Sequence, residues 1–368
     1  LYVPSLYTVS YDGSDGAVLA IEPITADIPA QVHKQTYRGN ALSASTVVTA
    51  KAAWENIYMV EVVRSCPEMC RFCLASYLTL PFRIADVEAS LIPAINRGLQ
   101  VTDRLGLLGA SVTQHPEFES LLDYLNRPEF DHVRLSLSSV RTNTVTPKLA
   151  ETLVKHDSRS ITIAVESGSD RVRQIINKKL TNDEIVQATL NTRAGGLSSL
   201  KLYGMVGIPG EDMDDLEQTV NLMKTLKKAA PGLRLTLGCS TFVPKAHTPF
   251  QWIGVNRQAE KRLQFLQKHL RSQGIDFRPE SYNWSVIQAL LSRGDRRLSH
   301  LLELTRHYGD SLGSYRRAFK ELRGKLPGLE YYVHETWPLE QTLPWSHLRS
   351  ALPPSTLIKH LASATAEM

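Results

Sequence analysis

The sequence predicts an α/β fold of parallel strands joined by crossover helices. Two observations carry this. Six short apolar runs, at 58–63, 105–108, 133–137, 161–165, 200–206 and 235–242, have the length of strands. Between them lie stretches whose apolar residues recur at helical spacing. Strands that alternate with helices favour a parallel sheet with right-handed connections. That pattern fits an open sheet and a barrel equally, and both place functional loops beyond the C-terminal ends of the strands.

Residues 1–54 read as a β-rich lead-in or linker. Tyr7 to Tyr11 alternates, Asp12-Gly13 and Asp15-Gly16 are turn signals, and Ala17 to Ile21 returns, which predicts a hairpin ended by Pro23 and Pro29. Residues 55–272 hold the strand–helix rhythm. In its first helix Val87, Leu91 and Ile95 share a face, and Pro93 should kink it. Thr181 and Glu184 have the spacing of a capping box. Leu216, Val220, Met223 and Leu226 give one apolar helix face, and Leu263, Leu266 and Leu270 another. In residues 273–368, a C-terminal extension, the rhythm stops. Helices are predicted at 284–291, 298–304 and 314–322, followed by a Pro-rich irregular stretch over 325–354.

The chain has 368 residues, 42% of them hydrophobic, enough to bury a substantial core. Its formal charge of +5 comes from basic residues spread along the chain, so a nucleic-acid partner is not indicated. No apolar run reaches the roughly 18 residues of a membrane helix, and no signal peptide is visible.

Of four cysteines, three fall together in Cys66-Pro67-Glu68-Met69-Cys70-Arg71-Phe72-Cys73, and Cys239 stands apart. A disulfide framework spreads its cysteines, whereas this cluster points to a metal and a reducing compartment. The cysteines occupy the loop after the first core strand. Three thiolates on one loop can hold three irons of a cubane and leave the fourth open to a substrate. Zinc would need a fourth ligand, for which His115, His132 or Cys239 is available without zinc-finger spacing. An electron-carrying cluster would normally use four cysteines.

The Cys-x3-Cys-x2-Cys spacing, with Phe72 before the last cysteine, resembles the signature of the radical S-adenosylmethionine (radical SAM) superfamily; the likeness covers roughly residues 55–270. The resemblance implies a partial (β/α)6 TIM-like barrel and a [4Fe-4S] cluster on Cys66, Cys70 and Cys73. It also implies reductive cleavage of S-adenosyl-L-methionine to a 5′-deoxyadenosyl radical, with an electron donor such as a flavodoxin or ferredoxin, in the cytoplasm or another reducing compartment. It extends to a set of cofactor-binding residues. Phe72 would pack near the adenosine. Gly109 and Ser111, after the second strand, would approach the methionine amino group. Arg141, after Leu135–Ser139, would meet a carboxylate. Glu166 would sit at the mouth near the amine or ribose. Gly207, Pro209 and Gly210 would lie against adenine. Phe242–Trp252 looks like a closing segment, in which Phe250 and Trp252 pack in the core. No catalytic residue follows from the motif.

The likeness is greatest to uncharacterised radical SAM proteins that usually carry an upstream cobalamin-binding domain. This chain shows no Asp-x-His-x-x-Gly cobalamin signature, so cobalamin-dependent methyl transfer stands as the alternative in which that domain is missing. Methylthiotransferases carry a second cluster on three more cysteines, and only Cys239 remains here. A non-catalytic iron–sulfur redox sensor or scaffold is the other alternative, against which the retained pocket segments argue. The substrate is not marked.

Overall fold

A computed structural model describes every residue except Ser139. The lead-in opens with an antiparallel hairpin of β1 (Tyr7–Tyr11) and β2 (Val18–Pro23). Seven parallel strands follow: β3 (Tyr58–Glu61), β4 (Arg104–Leu108), β5 (Arg134–Leu137), β6 (Ser160–Glu166), β7 (Ser199–Val206), β8 (Arg234–Thr241) and β9 (Asp276–Pro279). One ladder holds β3, β4 and β5 and another β6 to β9, and a parallel bridge between Val140 and Ile163 joins them. Every strand neighbours the next in sequence, so the sheet is the arc of a partial barrel. Helices α1 (Ile92–Leu99), α2 (Phe118–Leu125), α3 (Pro147–Lys155), α4 (Asn182–Ala194), α5 (Met213–Ala229) and α6 (Ala259–Arg271) fill the six crossovers.

The six expected strands are present, and the seventh carries the sheet past residue 272. Strand β9 escapes a hydrophobicity reading because only Phe277 of its four residues is buried. A π-turn over Val87–Leu91 passes directly into α1 at Ile92, so the helical run is irregular immediately before Pro93. The Thr181–Glu184 capping box forms as expected.

The core lies between the sheet and the helices. Ile161, Ile163 and Val165 of β6, Leu200 and Leu202 of β7, and Leu235 and Leu237 of β8 are buried in one cluster with Leu216, Val220, Met223, Leu226, Leu263, Leu266 and Leu270. The opposite face of the sheet is more open, apart from Met205, which packs with Phe242 and Phe250, and the buried Thr236. Thr162, Ala164 and Glu166 are half-buried, and Lys201 and Tyr203 are exposed. The strands alternate between a helix-covered side and an open inner side.

The C-terminal extension forms α7 (Tyr282–Arg293), α8 (Leu298–Tyr308), α9 (Leu312–Glu321) and α10 (Pro354–Thr365) around a second core holding Trp252, Trp337 and Trp345. It holds the hairpin through Arg297, which donates to the carbonyls of Ser14 and Gly16 while its guanidinium lies 3.9 Å from the Tyr11 ring centroid. It also closes over the segment after β8. Trp345 Nε1 donates to Gln251 at 2.7 Å, and the Trp337 amide donates to the Trp252 carbonyl at 2.8 Å. Phe250 and Trp252 are buried, as expected.

Candidate functional site

The chain leaves β3, passes a short antiparallel pairing of Val63–Arg64 with Arg83–Ile84, and turns at Ser65, whose φ is +75°. The cysteine loop follows, with a second left-handed residue at Met69. Its shape is fixed from outside. Asn177 Nδ2 donates to the carbonyls of Glu68 and Met69, and the Arg71 guanidinium donates to those of Gln174 and Ile175. Tyr77, fully buried, donates from its hydroxyl to the Met69 carbonyl and lies 2.7 Å from His360 Nδ1 on α10. Side-chain donors thus tie the loop to the segment around the helix Asp170–Ile175 and to α10.

Cys66, Cys70 and Cys73 are all free, and all line one cavity of about 320 Å³ at the C-terminal end of the strands. Burial pushes the Cys66 thiol up and the Cys70 thiol up to about 12, with the Lys178 ammonium opposing the rise at Cys70. Such thiols hold their protons at neutral pH until a metal displaces them. Ser76 Oγ, in the same cavity wall, is buried without a hydrogen-bond partner. Among the described residues no three His, Cys, Asp or Glu side chains converge to hold a single ion. A cubane makes a different demand, one thiolate for each of three irons, and three free thiols around one cavity with an unpaired hydroxyl beside them fit it.

Charge surrounds the thiols in two pairs. Glu166 Oε1 lies 3.0 Å from Lys178 Nζ, and both side chains are mostly buried. Burial works against the Lys178 ammonium, but the Glu166 carboxylate leads the opposing charges and the lysine's pKa is raised. Glu166 ends β6 with φ +64°, at the point where the β6–β7 register slips. A left-handed glutamate is strained, and the bulge turns its side chain into the cavity. The second pair is Arg141 Nη2 and Glu68 Oε2 at 3.1 Å. Gln114 extends it, donating to Glu68 at 2.6 Å and accepting from Ser111 Oγ.

Residues 60–223 match the profile of the Radical SAM superfamily. These residues form a radical SAM domain. An uncharacterised protein of Methanocaldococcus jannaschii is 30% identical over 259 residues, 70% of this chain and 56% of that protein. A tRNA-2-methylthio-N(6)-dimethylallyladenosine synthase of Sorangium cellulosum is 30% identical over 190 residues, 45% of this chain and 38% of that enzyme. Against these two the chain spans about half of the first protein's length and less of the second's. Among solved structures, the radical S-adenosylmethionine methyltransferase TsrM of Kitasatospora setae superposes with TM-score 0.43 at 11% identity, covering 52% of this chain and 38% of that one. Coproporphyrinogen III oxidase of Escherichia coli gives 0.40 at 14%, covering 58% and 53%.

Within the radical SAM domain, the sequence-assigned residues divide. Phe72, Ser111, Arg141 and Glu166 line the cysteine cavity. Gly109, Gly207, Pro209 and Gly210 are not among its lining residues. Gly109 is a close approach: a Cβ there would stand 2.7 Å from the Val63 carbonyl oxygen. Gly207 has φ +75°, donates its amide to Glu211 at 2.6 Å, and faces Ala259 and Asn256. Gly210, with φ +78°, lies under Met368 and Ile175. Turn geometry or close packing favours glycine at all three positions.

Sequence reasoning missed Lys178, Glu68, Ser76, Thr162 and Tyr203, all in the cavity wall. Alternation along β6 marks Thr162 and Ala164 once Glu166 is chosen, because all three point to one side. Lys178 carried no signal, since it reaches the cavity only through the fold of the segment after the short helix Asp170–Ile175.

Proposed function

We propose that Cys66, Cys70 and Cys73 hold a [4Fe-4S] cluster and that the protein uses it to cleave S-adenosyl-L-methionine reductively. The observation that carries this reading is the cavity itself. Three free thiols of one loop line it together with two largely buried ion pairs. When bound, the cluster supplies the electron that breaks a carbon–sulfur bond of the cofactor and yields the 5′-deoxyadenosyl radical.

The chain's own residues do the rest. Glu166 and Lys178 offer a carboxylate and an ammonium to the charged amino-acid end of the cofactor. Arg141 stands ready for a carboxylate, and Glu68 for an amine. Phe72 supplies an apolar wall and Ser76 a hydroxyl donor toward a thiolate. Partial burial strengthens these contacts relative to water. An external donor, such as a flavodoxin or ferredoxin, provides the electron, and free thiols of this kind require a reducing compartment such as the cytoplasm. No helix among the described residues is long and apolar enough to cross a membrane.

The test is anaerobic reconstitution with iron and sulfide, then addition of a strong reductant and S-adenosylmethionine. Formation of 5′-deoxyadenosine with methionine supports the reading. S-adenosylhomocysteine, with methyl appearing on added cobalamin, replaces it by methyl transfer. An intact, reducible cluster that cleaves nothing replaces it by a redox sensor or scaffold.

A further inference from the structure

The inner wall below the cysteine cavity carries a feature that the cofactor reading leaves unused. Tyr203 lines the cavity, yet 57% of it is exposed. Large aromatic residues are costly to leave in water, and this one sits on a strand within the arc. The sheet register explains how it stays open. Ala164 stands beside Tyr203 on β6, and Gly238 stands beside it on β8. Neither neighbour has a side chain large enough to cover the ring. A Cβ at Gly238 would lie 3.3 Å from Tyr203 Cδ1, so the ring leans over that glycine and leaves a face free.

Positive charge flanks the ring. Lys201 lies two residues earlier on the same side of β7, exposed and without an ion pair among the described residues. Its register neighbours are Thr162 and Thr236, and the Thr236 hydroxyl donates to the Asp276 carboxylate at 3.3 Å. Arg278 stands beside Gly238 on β9, on the side toward which the ring leans, with its side chain 67% exposed and paired to Asp276 at 2.7 Å. A flat ring, an unpaired ammonium and an exposed guanidinium thus share one wall, and the ring also lines the cysteine cavity.

We infer that Tyr203 is a substrate-stacking residue, and that the substrate presents a planar conjugated ring to Tyr203 and an anionic group to Lys201 and Arg278. The inference rests on the cofactor reading for the chemistry but not for the binding surface. Stacking on a free aromatic face and a charge contact are separable contributions. A nucleotide phosphate and an aromatic carboxylate both supply this pair of groups.

The experiment uses the reconstituted protein saturated with S-adenosylhomocysteine, so that the cofactor side is filled. Calorimetry then compares adenosine monophosphate and indole-3-acetate with adenosine and inorganic phosphate, each of which lacks one half of the recognised pair. One of the two anionic ring probes should bind about tenfold tighter than either half, and which one does so separates the two sources. Tyr203→Ala should weaken that probe by about tenfold, in the range of aromatic stacking, and Tyr203→Phe should keep it. Lys201→Ala should weaken the anionic probe, leave adenosine unchanged and flatten the salt dependence.

Binding that ignores Tyr203→Ala, or an absence of binding by both ring probes, overturns the inference. Iron content and 5′-deoxyadenosine yield are read on the same samples. A working cluster with Tyr203-independent binding sinks the inference alone. Tyr203-dependent binding without any cluster sinks the cofactor reading alone.

Discussion

The two halves of the barrel mouth solve the same backbone problem in opposite ways. Beyond β6 the chain enters the left-handed region at Glu166, and beyond β7 it does so at Gly207 and Gly210. Glycine adopts that geometry freely, whereas a glutamate is strained there. On the glycine side the turn is packed away: Glu211 takes the Gly207 amide, Arg262 Nη1 meets Glu211 at 2.7 Å, and Phe242 and Phe250 close the space behind. On the glutamate side the strain delivers a carboxylate into the cavity, 3.0 Å from Lys178. On this rim the left-handed residue that carries a side chain lies in the cysteine cavity, whereas the left-handed Gly207 packs against Ala259 and Asn256.

The largest expected effect lies on the open half. Cys66→Ala, Cys70→Ala or Cys73→Ala should each take a reconstituted protein from about four irons per chain to nearly none, because two thiolates cannot hold the cube. Cys239→Ala should leave the iron in place, since that thiol is buried on the helix side of β8. Iron and sulfide analysis with visible absorbance reads both. If Cys239→Ala also emptied the site, the contrast between the halves would fail.

Next come the charges. Lys178→Ala should keep the cluster absorbance but raise the S-adenosylmethionine concentration needed for half-saturation by about tenfold, through loss of a charge-assisted contact. Lys178→Arg should recover part of it. Equal half-saturation in all three proteins would remove the ion pair from the cofactor's surroundings.

On the sealed half, Gly207→Ala should cost about 1–2 kcal/mol of stability from its left-handed backbone, with added crowding because the new Cβ would lie 3.0 Å from that of Ala259. Half-saturation by S-adenosylmethionine should not change. Denaturant titration beside cofactor titration checks both, and weaker cofactor binding with full iron content would return this turn to the cofactor pocket.

The same half should also show a pH dependence. Burial pushes the Glu211 carboxyl up to about 7, against the pull of the Gly207 amide and Arg262. An acid raised in the fold adds stability that is fully present below its unfolded pKa and is lost as pH rises through the folded value. Between pH 5 and pH 8 the stability of the wild type should therefore fall relative to Glu211→Gln, by on the order of 2–3 kcal/mol. Denaturation curves of both proteins at the two pH values test the sign.

The sequence already contained most of what can be read locally. Buried strands appear as apolar runs, and helix faces as spaced leucines, because burial on one side imposes a period. The cysteine loop was legible because its three ligands lie within eight residues. Strand β9 was not, being short and polar on its open face. The cavity was legible only where one residue marked it: Glu166 and Arg141 were read from their places after strands, whereas their partners Lys178 and Glu68 depend on segments meeting in space. The glycine segment shows the converse. Its motif was visible, but the contact of Gly207 with Ala259 depends on a helix more than fifty residues on in sequence.

The central claim is that the three-cysteine loop leaves one iron open to S-adenosylmethionine within the charged half of the rim. Electron paramagnetic resonance of the reduced, reconstituted protein tests this most directly, with spectra recorded before and after addition of S-adenosylmethionine. A ligand binding at the open iron should change the cluster signal, and Lys178→Ala should shift that change to higher cofactor concentration. A reduced-cluster spectrum that saturating S-adenosylmethionine leaves unaltered would contradict the account.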